Sequence, residues 1–279
     1  RNAPANRGSL AGDTVRDLLI DRTGRLWAAT EVGASQADPD MDAIFTIANA
    51  MPDPRQSLAD RNVRGVMVDR SDRIWVGMSN GLIDRVDRVA GVVRHLRLDG
   101  SHAGQDIKAF AERPDRTILA GGRGIVAIDP DTLAKRTLPL PELGDLPVIS
   151  LAWVDRRLLI GTYKGLFVRD ERTGRMRHYR HVDGDDATLA NNEVINIVDA
   201  PGGGVWIATP GGVNRFDPAT GRFATYRHRP GDPTSLPQDY TGSIVPLADT
   251  LWIGTYGGVA RGARAGDRWR FHAINEARG

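Results

Sequence analysis

Short apolar segments alternate with polar turns along the whole chain, and the most regular of them is built around tryptophan. Four segments contain an apolar residue, then Trp, then a run of small or apolar residues: Leu26–Thr30, Ile74–Met78, Val205–Thr209 and Leu251–Thr255. Two degenerate copies without Trp occur at Thr117–Gly121 and Leu158–Thr162. The Trp position therefore recurs at residues 27, 75, 118, 159, 206 and 252, which identifies an internal repeat of 41 to 48 residues.

Two further offsets fix the register of this repeat. A glycine follows the Trp position by six residues in every copy: Gly33, Gly81, Gly124, Gly165, Gly212 and Gly258. Another segment begins eleven or twelve residues before the Trp position and starts with an apolar residue in five of the six copies: Val15, Val63, Ile107, Val148 and Val194, with Thr241 in the sixth. We predict that this earlier segment is the first strand of the repeat, the Trp segment the second and the segment after the glycine the third.

Each repeat has room for four strands and shows no helical period. A fourth strand is predicted after turns such as Thr220-Gly221, as in Arg222–Tyr226. Four strands in about 45 residues is the period of a propeller blade, and Ala, Val or Ile after the Trp argues against the WD40 class. The sequence predicts an all-β fold, a β-propeller with six four-stranded blades. We expect one domain over residues 1–279, with repeats at approximately 11–58, 59–102, 103–143, 144–189, 190–236 and 237–279 and the tryptophans packed between blades.

Composition adds several exclusions. The chain of 279 residues is 41% hydrophobic and 26% charged, with a net charge of +2 and acids and bases interleaved, so nucleic acid is not an expected partner. The absence of cysteine excludes disulfides and thiolate chemistry. No apolar run approaches the length of a membrane span, so no membrane contact by this chain is expected.

One copy of the repeat carries a more detailed pattern than its apolar spacing. Between residues 192 and 228 it contains Asn192, Val194, Ile197, Trp206, Ile207, Thr209, Gly212, Arg215, Asp217, Thr220, Gly221, Phe223, Tyr226 and His228. The linker His228–Leu236 follows, and a second copy of it spans His181–Leu189. This pattern resembles the two-component regulator propeller repeat, and the resemblance covers essentially the whole chain.

The resemblance implies a role in signalling. Such repeats usually form extracytoplasmic sensor regions of bacterial receptors, with a histidine kinase or diguanylate cyclase as the output domain. It therefore implies a periplasmic, non-catalytic sensor whose kinase or cyclase activity lies outside this chain. The family usually has seven blades, and residues 2–10 resemble an inter-blade linker, so we expect a piece of a larger sensor. A homodimer partner or a second propeller of the parent receptor is a further expectation.

The candidate chemical groups favour binding over catalysis. Repeat-equivalent histidines such as His181 and His228 lie on outer strands or linkers of different blades, so no metal site and no cofactor are expected. No nucleophile motif is present, and no catalytic residue is assigned. Two alternatives stay open. One is a propeller-type lyase similar to the streptogramin-cleaving family, and the other is a protein-interaction or dimerisation platform.

The loops between second and third strands vary sharply inside an otherwise strict repeat. They and the inter-blade linkers are expected to emerge on one face near the central channel, where loops on a rigid scaffold commonly bind ligands. Unconstrained surface variation is the alternative explanation. The ligand-binding residues predicted here are Tyr163, Lys164, Tyr256, Arg123, Asn80, Asn192 and Tyr240. Tyrosine faces with nearby cations suit a small molecule or an oligosaccharide, in particular an anionic one. We also expect residues 1–14 not to complete the last blade, which has its own outer strand at Trp269–His272.

Overall fold

The computed structural model describes residues 10, 14–21, 23–37, 44–48, 53–87, 90–100, 104–200, 203–247, 249–266 and 268–274. Within these ranges the chain forms 24 strands and two single 3-10 turns, Pro54–Gln56 and Ser79–Gly81. The strands build six four-stranded antiparallel sheets, and each sheet is a meander in chain order. The predicted class, an all-β propeller fold with six four-stranded blades, is confirmed.

The chain divides into two compact units, and the first, Arg1–Asp145, holds blades 1 to 3. Blade 1 consists of β1 (Val15–Ile20), β2 (Leu26–Thr30), β3 (Gly33–Ala37) and β4 (Ile44–Ala48). Blade 2 consists of β5 (Val63–Val68), β6 (Ile74–Met78), β7 (Leu82–Asp87) and β8 (Val92–Arg97). Blade 3 consists of β9 (Ala109–Glu112), β10 (Ile118–Gly122), β11 (Gly124–Ile128) and β12 (Lys135–Thr137).

The second unit, Leu146–Gly279, holds blades 4 to 6. Blade 4 consists of β13 (Val148–Val154), β14 (Arg157–Thr162), β15 (Gly165–Asp170) and β16 (Met176–Tyr179). Blade 5 consists of β17 (Asn196–Asp199), β18 (Val205–Thr209), β19 (Gly212–Asp217) and β20 (Arg222–Tyr226). Blade 6 consists of β21 (Thr241–Leu247), β22 (Thr250–Thr255), β23 (Gly258–Ala265) and β24 (Arg268–Ile274). That all 279 residues form one domain stays a prediction.

The second strand is the most completely buried element in blades 2, 3 and 5. All five residues of β6, β10 and β18 are buried, whereas the outer strand β12 is wholly exposed. A strand covered on both sides is apolar without alternation, and this explains the continuous Trp segments in the sequence. Trp27 packs with blade 2, Trp75 with blade 3 and Trp206 with blade 6.

The fourth tryptophan departs from the prediction. Trp252 is only partly buried, although its neighbours Leu251 and Ile253 are in the core.

Two first strands also begin later than the pattern indicated, since β9 starts two residues after Ile107 and β17 two after Val194. The backbone N–H groups of these two residues donate to the second strand of the preceding blade instead, to Met78 O and Thr162 O at 3.0 Å each.

Blade 6 supplies all four of its strands from its own repeat. β24 pairs with β23 along its whole length, with Phe271 opposite Gly262, so the predicted outer strand is confirmed. The related prediction for residues 1–14, and the linker resemblance of residues 2–10, fall almost entirely outside the described residues.

Candidate binding site on the strand-connecting loops

A threonine hydroxyl closes the loop between the second and third strands in four blades. In blade 4, Thr162 Oγ1 donates to Gly165 O at 2.9 Å and accepts the backbone N–H of Lys164 at 3.0 Å. The same pair of bonds is made by Thr30, Thr209 and Thr255. In these four blades the threonine that ends the second strand is therefore a loop lock, a role that the sequence reasoning missed although its spacing to the glycine is constant.

Histidine closes the two long inter-blade linkers of the second unit. His181 Nδ1 lies 2.6 Å from Leu189 O, and its backbone N–H donates to Asn192 Oδ1 at 2.9 Å. His228 repeats this arrangement, with Leu236 O at 2.7 Å from its Nδ1. A carbonyl oxygen can only accept, so Nδ1 carries a proton in both histidines. Both leucines are buried, and the histidines therefore hold linkers onto the core.

Linkers and second-to-third-strand loops lie against one another within each unit. In blade 2, Gly81 N donates to Gln105 O of the next linker at 2.8 Å. In blade 5, a Cβ added to Gly211 would lie 2.5 Å from Ala190 O, so only glycine allows this approach. In blade 6, Tyr256 N donates to Tyr240 O at 3.0 Å. The prediction that both kinds of loop share a face holds for these pairs.

The predicted binding residues divide between the two units. In the first unit, Asn80 and Arg123 are exposed, and Asn80 has a left-handed backbone with φ of 63°. In the second unit, Tyr163 and Lys164 are exposed neighbours in the loop that Thr162 locks. Asn192 is only partly exposed, and its carbonyl oxygen already accepts the His181 N–H. Asn192 therefore helps to hold the linker. That the predicted residues together form one binding site stays a prediction.

Tyr240 and Tyr256 are the two predicted residues that the structure brings into direct contact. Their ring centroids are 5.3 Å apart in an edge-to-face arrangement. Tyr256 is 82% exposed and Tyr240 41% exposed, and the backbone bond between them fixes their spacing. Because Tyr256 is mostly exposed, most of its side chain is open to solvent beside Tyr240. This tyrosine pair can stack on a flat ligand and exchange hydrogen bonds with it.

Other histidines have structural partners. His178 stacks on Phe167 at 3.9 Å, and its Nε2 lies 2.8 Å from Lys164 O. His95 Nδ1 lies 2.7 Å from the buried carboxylate of Asp84. Among the described residues no group of three or more histidine or acidic side chains is arranged to hold a metal ion. Nor does any helix in this part of the chain have the length and apolarity needed to cross a membrane.

Comparison with known proteins begins with the family matched by part of the sequence. Residues 9–32 match the sequence model of the family described as two component regulator propeller. They include β1, the turn after it and β2, in which Trp27 lies. No curated protein matches the chain.

Solved structures resemble the chain at low sequence identity. Virginiamycin B lyase from Staphylococcus aureus is 15% identical with a TM-score of 0.68, over 92% of this chain and 83% of that protein. Extracellular domains of two B. thetaiotaomicron proteins described as hybrid two component systems have TM-scores of 0.54, at 19% and 17% identity. These two matches cover 88% and 95% of this chain but only 39% and 41% of the other chains. The chain thus spans about two fifths of those sensor domains.

At such identities the structural likeness establishes the propeller fold alone, and the family match applies to residues 9–32 of blade 1. The repeat pattern first noted at residues 192–228 belongs to the same series, because both copies place Trp six residues before the glycine that opens the third strand. The chain is therefore a β-propeller of six four-stranded blades, and residues 9–32 in its first blade match the two component regulator propeller family.

Proposed function

We propose that the chain is a non-catalytic, ligand-sensing propeller domain of a bacterial signal-transduction receptor. In this proposal it lies in the periplasm and relays an extracellular signal to a histidine kinase or diguanylate cyclase elsewhere in the receptor. The family match and the extracellular domains among the similar structures support it. A membrane helix and a kinase or cyclase domain encoded after Gly279 are the expected findings in the parent gene; a soluble enzyme there would contradict the proposal.

The observation that carries a binding role is the exposed tyrosine pair of blade 6. The Tyr256–Tyr240 backbone bond and the Thr255 loop lock hold the backbone of both residues, and the two rings contact each other at 5.3 Å without a ligand. Preorganised aromatic groups lose little conformational entropy on binding. The proposed ligand is an oligosaccharide or another polyhydroxylated small molecule, stacked on the open ring and hydrogen-bonded to the phenol groups.

A lyase activity is less well supported. A variant of virginiamycin B lyase with one histidine changed to alanine is described as catalytically inactive. In this chain, His181 and His228 hold linkers, and His178 is stacked on Phe167 beneath a loop carbonyl. None of the described histidines lies in a second-to-third-strand loop. A histidine general base is therefore missing from these loops among the described residues.

Calorimetric titration with a panel of neutral and acidic oligosaccharides tests the proposal. Tyr256→Ala and Tyr240→Ala should each weaken binding of a hit by about tenfold, because each removes an aromatic face or its support. Val32→Ala is the control, since Val32 occupies the corresponding loop of blade 1 and is also exposed. If the wild type and both tyrosine variants bind with equal affinity, the binding site is not the tyrosine pair. If the wild type binds no oligosaccharide of the panel, the oligosaccharide proposal is wrong.

A further inference from the structure

A cleft of about 490 Å³ lies between the outer strands of the last two blades in the second unit. We call it the outer cleft. It is bounded by β20 of blade 5, β24 of blade 6 and the linker between them. Its lining includes Tyr226, Trp269 and Phe271 together with Arg229, Asp232 and Arg270. This volume is within the range of small-molecule sites.

The floor of the outer cleft is a rigid aromatic layer. Trp269 packs edge-on against the buried Trp206 at 5.1 Å, and Tyr226 packs edge-on against Phe271 at 5.4 Å. Phe271 is buried, whereas Tyr226 and Trp269 are partly exposed. Edge-to-face packing holds each ring from behind and leaves part of its surface to the cleft.

The wall of the outer cleft is ordered by its own hydrogen bonds. Asp232 Oδ1 accepts the N–H of Thr234 at 2.9 Å and the Thr234 hydroxyl at 2.7 Å. Ser235 Oγ accepts the N–H of Arg229 at 2.9 Å. Phe271 N donates to Thr234 O at 2.9 Å, which ties the wall to β24. The cleft is therefore preformed.

Two arginine side chains at the rim are free to bind an anion. Within the described part of the chain, neither the Arg229 nor the Arg270 guanidinium takes part in a hydrogen bond or an ion pair, whereas Arg227 donates to Gly211 O at 3.1 Å. Hydrogen bonds from Thr234 lower the pKa of Asp232, and the charges of Arg229 and Arg270 lower it further. The rim thus has two free cations beside one carboxylate that is already hydrogen-bonded.

The preceding linker shows that the wall does not need Arg229. In it, Thr188 Oγ1 accepts the N–H of Val182 at 3.1 Å, and Ala187 N donates to Asp185 Oδ1 at 2.9 Å, so the loop closes in the same way. Val182 stands where Arg229 stands in the later linker. The position of Trp269, two residues before the outer-strand Phe, is taken by Gly221 in blade 5. The arginine and the tryptophan are additions to the scaffold.

We propose that the outer cleft binds an organic anion in which a carboxylate is attached to a six-membered ring with an apolar face. Arg229 and Arg270 hold the carboxylate, since guanidinium groups match its two oxygens, and the ring lies against Trp269 and Tyr226. The ring can belong to a uronic acid or to an aromatic acid. This site is separate from the tyrosine pair of blade 6, and its existence does not rest on the function proposed for that pair.

Calorimetry on the full chain tests the outer cleft with four probes. These are cellobiouronic acid, the neutral disaccharide cellobiose, 4-hydroxybenzoate and inorganic sulfate. We expect one of the two ring carboxylates to bind with one-to-one stoichiometry and at least about tenfold more tightly than cellobiose or sulfate. Cellobiouronic acid alone would identify a sugar acid, and 4-hydroxybenzoate alone an aromatic acid.

Matched variants locate the binding. Arg229→Val copies the preceding linker, and it and Arg270→Gln should each weaken binding by about tenfold or more because a charge-assisted hydrogen bond is lost. Arg222→Gln is the control, because Arg222 is the exposed arginine at the position of Arg270 on blade 5 and lies outside the cleft. All titrations are carried out in the Tyr256→Ala background, so that binding at the tyrosine pair of blade 6 does not contribute to the signal. The proposal is overturned if neither ring carboxylate binds, if sulfate binds as tightly as they do, or if Arg222→Gln weakens binding as much as Arg229→Val.

Discussion

Asp17 joins the first strand of blade 1 to that of blade 2 through its side chain. Its Oδ2 accepts the backbone N–H of Val66 at 3.1 Å. Asn196 makes the equivalent bond between blades 5 and 6, where its Oδ1 accepts the backbone N–H of Ile244 at 3.3 Å. One repeat therefore uses an ionisable group where another uses a neutral amide. We predict that Asp17→Asn stabilises the protein at neutral pH and that the gain disappears in acid.

The size of the effect follows from the pKa of Asp17. Burial raises this pKa from 3.8 to about 7, against the opposing effect of the backbone bonds from Val66 and Leu18. Below pH 3.8 the carboxyl is protonated in both the folded and unfolded chain, so it contributes nothing. As pH rises towards 7 the unfolded chain loses the proton while the folded chain keeps it, and stability falls. A pKa difference of about three corresponds to a loss of about 4 kcal/mol above pH 7, an upper limit because Asp17 is partly exposed to solvent.

Urea denaturation followed by tryptophan fluorescence between pH 4 and pH 8 measures this. The difference in free energy of unfolding between Asp17→Asn and the wild type should grow from near zero at pH 4 to as much as about 4 kcal/mol at pH 8. The mirror-image variant Asn196→Asp should introduce the same pH dependence into the second unit. A difference that is constant across this range would refute the reasoning, since it would mean that Asp17 titrates at the same pH in the folded and unfolded chain.

Further predictions concern the scaffold. Trp75→Ala should lower the free energy of unfolding by about 3–5 kcal/mol and Trp252→Ala by clearly less, because Trp75 is fully buried and Trp252 is not. Thermal or urea denaturation of the two variants measures this, and equal losses would contradict the packing. Asp69→Asn should destabilise by about 2 kcal/mol at pH 7, because Asp69 accepts the Trp75 Nε1–H at 2.9 Å and pairs with Arg73 at 2.8 Å. Burial raises the pKa of Asp69, but these bonds outweigh it and lower the pKa below 3.8. The stability that they provide is therefore present above pH 3.8 and is lost as the pH falls through the pKa of the folded state. If Asp69→Asn destabilised the protein equally in strong acid, this reasoning would be wrong. Thr209→Val should lower the free energy of unfolding by about 1 kcal/mol, because the valine cannot make the two hydrogen bonds of the loop lock. The amide of Gly211 should then exchange faster with solvent, and an unchanged exchange rate would refute the role of Thr209.

Sequence spacing carried most of the information about the blades, because each blade is built from contacts between residues close in the chain. The second strand is covered on both faces and is therefore continuously apolar, as in Ile74–Met78. The glycine after it opens the third strand in five of six blades, and in blade 2 Gly81 stands just before it. Even the Asp69–Trp75 hydrogen bond joins residues only six apart. Two first strands, by contrast, began late, since Ile107 and Val194 use their N–H groups in contacts with another blade that a local pattern cannot register.

The candidate sites were decided by contacts between distant residues. The sequence placed Tyr240 and Tyr256 among the binding residues, but only the backbone bond between linker and loop makes them a pair. Asn192 looked equally suitable, yet the folded linker directs its carbonyl to His181. Arg229 and Arg270 gave no signal at all, because single exposed arginines are ordinary in any chain. They form one rim only because the hydrogen bond from Phe271 to the linker holds β24 beside β20, although these strands are some forty residues apart in the chain. What the chain can bind therefore depends on contacts between distant residues, whereas its blades are built by a local sequence pattern.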